Sequence, residues 1–473
     1  MDQHKASHVN VTVVTLVATL GGLLFGYDTA VISGAVGAID ANFVDPWLLS
    51  PTARDSLSGF AISSALVGTI IGAAMAGWAS TRFGRRASMQ LAAILFFVSA
   101  LGSALPELGF APVGQMGPEA VWPFICYRIV GGIGVGLASM LAPMYIAEIA
   151  PSRIRGRLVS YNQMAIIFGM LVVYFVNWGI ALQGDDAWVI ETGWRWMFAS
   201  ECIPAALFFV LLLTVPESPR WLVLKDRDEA ALTVLGRFNA PDRARQVLGE
   251  IKVSLAAKSE PLFKYGGVLI AVGILLSVFQ QFVGINVVLY YAPFIFQNMG
   301  ATTDAALLQT VLVGAANLGF TLVAILTVDR LGRRPLMITG ALVMAAAMFT
   351  LGSLFNANAL GLPALIAMLV YIAGFAMSWG PVTWVLLSEI FPNPIKGKAM
   401  AIAVVAQWVA NLAVSWSFKV IDGNSWLVAQ FNHGFAYWIY GVMGVLAALF
   451  VLRAVPETKG RHLEDMHHLW ARA

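Results

Sequence analysis

Gln280 to Tyr291 reads Q-Q-F-V-G-I-N-V-V-L-Y-Y and lies inside an apolar run that begins near Tyr265. A segment that crosses lipid should be almost wholly apolar over about 20 residues. This one carries two adjacent amides, a glycine, a third amide and two tyrosines. Each buried amide without a partner costs on the order of 1–3 kcal/mol. Two arrangements offset that cost. The amides line a wet cavity for a neutral, hydroxyl-rich ligand, since each both donates and accepts. Or they bridge packed helices, as Asn and Gln do in membranes. Three amides in seven residues, with Gly284 between them, favour the cavity.

Composition sets the class around that stretch. Of 473 residues, 59% are hydrophobic and 12% charged, against roughly 25% charged in a soluble domain. The chain therefore reads as a polytopic membrane protein, with the lipid bilayer as its first partner. Its net charge of +3 is small, and the basic residues fall in short loops, so nucleic acid is not expected. Cys126 and Cys202 both lie in apolar runs and suggest neither a disulfide framework nor a metal site. No cofactor is expected. The apolar stretch Val11–Ile32 is too long for a signal peptide and reads as a retained first span.

Runs of spanning length fall at about 12–36, 57–79, 88–105, 121–145, 158–182, 196–214, 265–297, 305–328, 335–355, 362–388, 398–420 and 433–452. They predict an all-α protein with twelve membrane helices. Pro216–Lys264 is charged and separates six runs from six; its pattern suits short amphipathic helices. The predicted organisation is a bundle over 1–215, linker helices over 216–264, a second bundle over 265–455 and a tail over 456–473. Basic residues follow the even-numbered runs: Arg82, Arg85 and Arg86; Arg153, Arg155 and Arg157; Arg330, Arg333 and Arg334; Lys396 and Lys398. Positive charge stays on the cytoplasmic side, so both termini are expected there.

The two halves repeat each other. R-F-G-R-R at 82–86 answers R-L-G-R-R at 330–334, E-I-A-P-S-R-I-R-G-R at 148–157 answers E-I-F-P-N-P-I-K-G-K at 389–398, and P-E-S-P-R at 216–220 answers P-E-T-K-G at 456–460. Three motifs in one order at nearly one spacing imply two similar bundles with a site between them near mid-membrane.

These motifs, with Q-Q-F-V-G-I-N and G-P-V-T-W, resemble those of the sugar porters of the major facilitator superfamily over roughly residues 10–470. The resemblance implies alternating access: one bundle rocks against the other around a central sugar. It implies sugar contacts at Gln163, Gln280, Gln281, Asn286, Tyr290, Asn317, Trp384 and Gln407, with Phe25 and Trp408 on the apolar side. The chemistry suits a pyranose, whose polar rim takes amides and whose C–H face takes an aromatic plane. The alternatives are helix packing for Asn317 and an interfacial position for Trp384 and Trp408. Trp384 follows Gly380-Pro381, where a helix break is expected. One position departs from family members that carry xylose: where they have a glutamine seven residues after the first, this chain has Met170. D-xylose is the expected substrate and glucose the alternative.

Asp28, in G-Y-D-T, stands inside the first run, and a charge there usually marks an ion pathway. Arg128, in C-Y-R-I-V-G-G, is the expected counter-ion, and Glu201 is a third ionisable group. In proton-coupled sugar porters an aspartate and an arginine at these positions form the switch, which makes the proton a second partner. The alternative is a structural ion pair. Glu148 and Glu389 each end a run just before a basic loop. The resemblance implies a cytoplasmic gate of salt bridges, Glu148 with Arg333 or Arg334 and Glu389 with Arg85 or Arg86, formed when the carrier faces outward and broken when it opens inward. The run Gly132 to Gly136 lies within the fourth span and reads as close helix contact, not a nucleotide loop. The chain is expected to work as a monomer. A passive facilitator and a non-transporting sugar sensor are the rivals; a sensor usually brings a long signalling tail, and only a short stretch follows Gly460. An enzyme is disfavoured, since no nucleophile–base or metal-ligand constellation is present and His433 is solitary.

Overall fold

The structure, a computed structural model, describes residues 2–151, 154–256 and 261–458. Arg153 and the tail from residue 459 lie outside the described residues, as do the side chains of Arg155 and Arg157. In hydrocarbon every backbone N–H and C=O must be satisfied within the segment, so apolar runs of this length fold as helices. Twelve helical stretches long and apolar enough to cross a membrane result: Val11–Trp47, Pro51–Phe83, Arg85–Ala104, Gly117–Ile149, Leu158–Ala181, Asp186–Leu212, Gly267–Asn298, Thr303–Val328, Arg333–Asn356, Leu362–Ile390, Pro394–Asp422 and Phe435–Ala454. They are spans one to twelve below. Between spans six and seven lie three short helices, Pro219–Leu224, Asp228–Phe238 and Pro241–Ala256. Among the described residues the charged linker is thus mostly helical. The ends that bear the arginine loops, together with these helices, form one face, here the basic face.

Glycine sets how closely the spans approach. A Cβ on Gly132 would stand 1.8 Å from the Ala65 carbonyl oxygen, and one on Gly68 would stand 1.9 Å from that of Ile129. The backbones of spans two and four therefore touch, and the glycine run of span four is a packing surface, as its sequence suggests. Between the halves, span two packs on span eleven and span five on span eight, while the outer part of span seven meets span one. These contacts run from mid-membrane, where the Phe25 and Trp408 rings lie 5.6 Å apart, toward the face opposite the basic loops.

Three spans are interrupted, each next to a residue of interest. Span seven consists of Gly267–Phe282 and Ile285–Asn298. Gly284 joins them at φ +92°, a left-handed conformation that favours glycine. The carbonyl of Val283, freed by the break, accepts from the Tyr371 hydroxyl at 2.7 Å. Span ten breaks between Leu362–Met377 and Trp379–Ile390, at Ser378. That is two residues before the expected Gly380-Pro381, because a proline lacks the N–H that would bond four residues back. Pro381 therefore leaves the carbonyl of Met377 unbonded, and the chain turns there. Span six breaks at Ser200-Glu201 between Trp194–Ala199 and Cys202–Leu212. Pro204 is the cause by the same rule, and it sets Glu201 at a helix interruption.

Candidate functional site

The first cluster is ionic. Asp28 on span one and Arg128 on span four are 0% and 1% exposed. Arg128 Nη1 donates to Asp28 Oδ1 at 2.8 Å, and Nη2 donates to the Asp28 carbonyl oxygen at 3.1 Å. The guanidinium carbon also lies 5.5 Å from the Phe198 ring centroid. The expected counter-ion is therefore the observed one. Glu201 is 0% exposed and within electrostatic reach of both groups. Among the described residues no N–H or O–H donates to either of its carboxyl oxygens or to Asp28 Oδ2; the two carboxyls lie within hydrogen-bond reach of each other, so a proton on one can bridge them. One guanidinium balances one carboxylate; the second carboxyl is neutral only with a proton bound. Burying an unbalanced charge costs several kcal/mol, so of the two carboxyls around this one cation, one is buried at low cost only with a proton on it.

The second cluster is the row of amides. Gln280 Nε2 donates to the carbonyls of Trp379 and Gly380, at 2.9 and 3.3 Å. Gln281 Nε2 donates to Gln280 Oε1 at 3.4 Å, and Asn286 Nδ2 donates to Gln281 Oε1 at 2.5 Å. The breaks of spans seven and ten are thus laced together by one chain of amides. On its donor side Gln280 acts as helix glue, the alternative to a cavity role. Gln281 is 5% exposed, whereas Asn286 is half-buried. Tyr290 accepts from Asn411 Nδ2 at 3.4 Å. Asn411 takes the Ser415 hydroxyl on its oxygen at 2.9 Å and went unnoticed in the sequence. It lies four residues after Gln407, one helical turn along the same face, and that spacing is the signal that would have found it. Gln407 and Trp408 are buried, yet among the described residues Gln407 Oε1 and Trp408 Nε1 have no hydrogen-bond partner. Buried polar atoms are normally paired, so these two are available to a ligand. Gln163 is half-buried on span five, and Met170 is buried on the same span. Trp384 packs half-buried against the core, and Asn317 is buried on span eight.

The third cluster lies on the basic face and is built within each half. Glu148 pairs with Arg85 of its own half, taking Nε and Nη2 at 2.8 Å each, and also accepts from the Ser218 hydroxyl. Glu389 pairs with Arg333 of its own half at 3.0 Å and accepts from the Thr458 hydroxyl. With the halves in contact at the opposite face, Glu148 is not bonded to Arg333 or Arg334, nor Glu389 to Arg85 or Arg86; those cross-half bridges are the expectation for the outward-facing state. Arg86 and Arg334 donate instead to the carbonyls of Leu213 and Leu452. The reason is geometric: each glutamate ends a helix beside the arginine-bearing helix of its own bundle. Glu217 and Glu457, from P-E-S-P-R and P-E-T-K-G, complete the pattern. Glu217 accepts from the backbone N–H of Arg85 and Arg86, and Glu457 from those of Arg333 and Arg334. Each carboxylate caps the N-terminus of a span, where unbonded N–H groups and the helix dipole favour an anion. Burial pushes the Glu217 carboxyl up from its usual range, with the N–H bonds from Ser218, Arg86 and Arg85 pulling the other way. Replacing Glu148 by Ala leaves a buried guanidinium and the Ser218 hydroxyl without this partner. The expected cost is about 1–3 kcal/mol of stability, and Glu389→Ala should behave alike. Thermal unfolding in detergent measures both; melting points unchanged from the parent would show that the pairs contribute nothing.

Two matching clusters of glutamates and arginines on one face, a buried aspartate–arginine–glutamate group and an amide row at the breaks of spans seven and ten belong to a membrane carrier. The sugar (and other) transporter family profile matches residues 14–470, and the chain belongs to that family. It is 59% identical to the D-xylose-proton symporter of Escherichia coli, over 97% of this chain and 95% of that one. It is 45% identical to the glucose facilitated diffusion protein of Zymomonas mobilis, over 98% of each. Among solved structures, the inward-open conformation of the Escherichia coli xylose transporter superposes with a TM-score of 0.89 at 57% identity, covering 97% of this chain and all of that one.

Proposed function

We propose that the chain is a proton-coupled monosaccharide transporter that carries D-xylose by alternating access. It is a transporter and not an enzyme. The observation that carries the coupling is the buried Asp28–Arg128 pair, with the Glu201 carboxyl beside it and, among the described residues, no second cation to balance it. The basic face is cytoplasmic by the positive-inside rule. The protein sits in a bacterial inner membrane, and the two bundles, 1–215 and 265–455, are its moving bodies. Contacts between the halves reach from mid-membrane to the opposite face, which makes this the inward-facing state. A single chain holds every group the cycle uses, so a monomer suffices.

The sugar is bound between the bundles by Gln163, Gln280, Gln281, Asn286, Tyr290, Asn317, Trp384 and Gln407, with Phe25 and Trp408 against its C–H face. Facing outward, the aspartate takes a proton; Arg128 is released and can turn to Glu201. That exchange favours inward opening. On the cytoplasmic side the proton leaves and the pair re-forms. The direct test is uptake of labelled xylose and glucose into proteoliposomes, with and without an imposed pH gradient. Xylose accumulation that follows the gradient is the expected result; uptake that stops at equilibrium under every gradient would make the protein a passive facilitator.

Met170 gives a specific observation in favour of glucose as a second substrate. Its thioether fills apolar volume and donates no hydrogen bond, and it is 9% exposed on the span that carries Gln163. Met170→Gln should therefore shift preference toward xylose. One added hydrogen bond is worth about 0.5–1.5 kcal/mol, hence roughly a two- to tenfold change in the xylose-to-glucose ratio of half-saturation constants. A ratio that does not move would take residue 170 out of the sugar contacts.

A further inference from the structure

A second buried ion pair lies far from Asp28, and it joins the two halves. Asp40 sits where the end of span one loosens into the wide helical turn Asp40–Val44. Lys419 sits in the last turn of span eleven. Lys419 Nζ lies 2.8 Å from Asp40 Oδ2, with the side chains 4% and 9% exposed. The Ser58 hydroxyl of span two donates to the other carboxylate oxygen. The ammonium also stands 3.9 Å from the Phe294 ring centroid on span seven, close enough for a strong cation–π contact. Two spans of the first half and two of the second therefore meet at one lysine. Beside it the Trp416 indole N–H donates to the Ser56 carbonyl at 3.0 Å, and its ring lies 5.1 Å from that of Phe60. A Cβ on Gly59 would stand 2.6 Å from the Trp416 carbonyl oxygen, so the backbones here are in contact. All of this lies at the face opposite the basic loops.

We propose that Asp40–Lys419 is the latch that holds the extracellular face shut, and that Asp40 and Lys419 are gating residues broken and remade in each transport cycle. This rests on the alternating-access reading above. The physics of a buried pair suits the task. Burial strips water from both ions, and their attraction only roughly repays that loss. Opening returns water to both, so the whole pair separates without a prohibitive barrier. Removing one partner is different: the survivor is then buried without its direct counter-ion whenever the face is shut, with Arg54 and Asp55 as more distant charges, and relieved whenever it opens. A latch therefore predicts that single variants shift the carrier outward. A mere tether predicts lost stability with no change of face.

The test is a distance measurement across the extracellular ends. Cys126 and Cys202 are replaced by Ser, and spin labels are placed at Leu48→Cys and Ser425→Cys, exposed positions on opposite halves. Double electron–electron resonance in lipid nanodiscs then compares the parent, Lys419→Ala, Lys419→Met and the charge swap Asp40→Lys/Lys419→Asp. Methionine keeps the length of the side chain over Phe294 and guards against a folding defect in the alanine variant. Both single variants should raise the ratio of long to short distances by about tenfold or more, and the swap should bring it back toward the parent. Distributions that stay at the parent's distance in both single variants overturn the latch. So does a shift that the swap fails to reverse, since packing and not charge would then be the cause. Xylose uptake by the cysteine-free parent, measured alongside, separates the two ideas: no uptake counts against the transport reading, while the distances judge the latch.

Discussion

Asp28→Asn should abolish sugar accumulation driven by a pH gradient while leaving exchange of sugar down its own gradient. Asparagine keeps an oxygen that can accept from Arg128, so the 2.8 Å contact between spans one and four need not be lost. It cannot take a proton. With residue 28 neutral, Arg128 and Glu201 alone form a balanced pair, and the cluster no longer needs a proton in any state. One pH unit is worth about 1.4 kcal/mol per proton, so one coupled proton supports about tenfold accumulation. The variant should level off at equal concentrations on both sides of a liposome membrane, with or without the gradient. Counterflow of labelled xylose should continue, which shows that the carrier folds, binds and turns over. Continued accumulation under a pH gradient would take Asp28 out of the coupling mechanism. Loss of counterflow as well would make Asp28 a structural partner of Arg128 first and a proton site second.

What could be read from the chain, and what could not, divides along physical lines. The spans were legible because hydrocarbon tolerates almost nothing else over about 20 residues. Asp28 and Arg128 were legible as a pair because each is a charge well inside an apolar run. Asp40 and Lys419 are buried too, yet each stands near the end of its run, where a charge is unremarkable. Only the approach of spans one and eleven reveals that they meet. The break in span ten was expected from Gly380-Pro381 and fell at Ser378, because proline acts on a carbonyl four residues back. The pairs of the basic face show a related limit. The repeat shows that Glu148 matches Glu389 and Arg85 matches Arg333, and it cannot say whether a partner comes from the same half. Glu217 and Glu457 were visible within the repeated motifs without a role, since a carboxylate that caps a helix is recognised only once the chain has brought Pro216–Arg220 back to the start of span three.

Gln280→Leu should cost the most of any single change among the amides, and it separates the two roles that the structure gives this residue. Gln280 is 2% exposed, and its amide nitrogen serves two carbonyls beside the break in span ten. Leucine fills a similar volume but bonds to neither, and it also strands the Gln281 amide that donates to Gln280 Oε1. Leaving buried polar groups unserved costs on the order of 1–3 kcal/mol each, so thermal stability should fall. If the residue were glue alone, the protein that remains folded would bind sugar as before. If its polar atoms also face the sugar, as the unpartnered Gln407 and Trp408 atoms suggest for their surroundings, a hydroxyl of the ligand loses its partner too. A binding site that relies on such a hydrogen bond discriminates strongly against its loss, by up to 10⁴-fold. We expect xylose affinity to fall at least 100-fold by calorimetry at a temperature where circular dichroism shows the variant fully helical. A drop in melting temperature with unchanged affinity would assign Gln280 to the packing of spans seven and ten, and would move the sugar toward Gln281, Asn286 and Gln407.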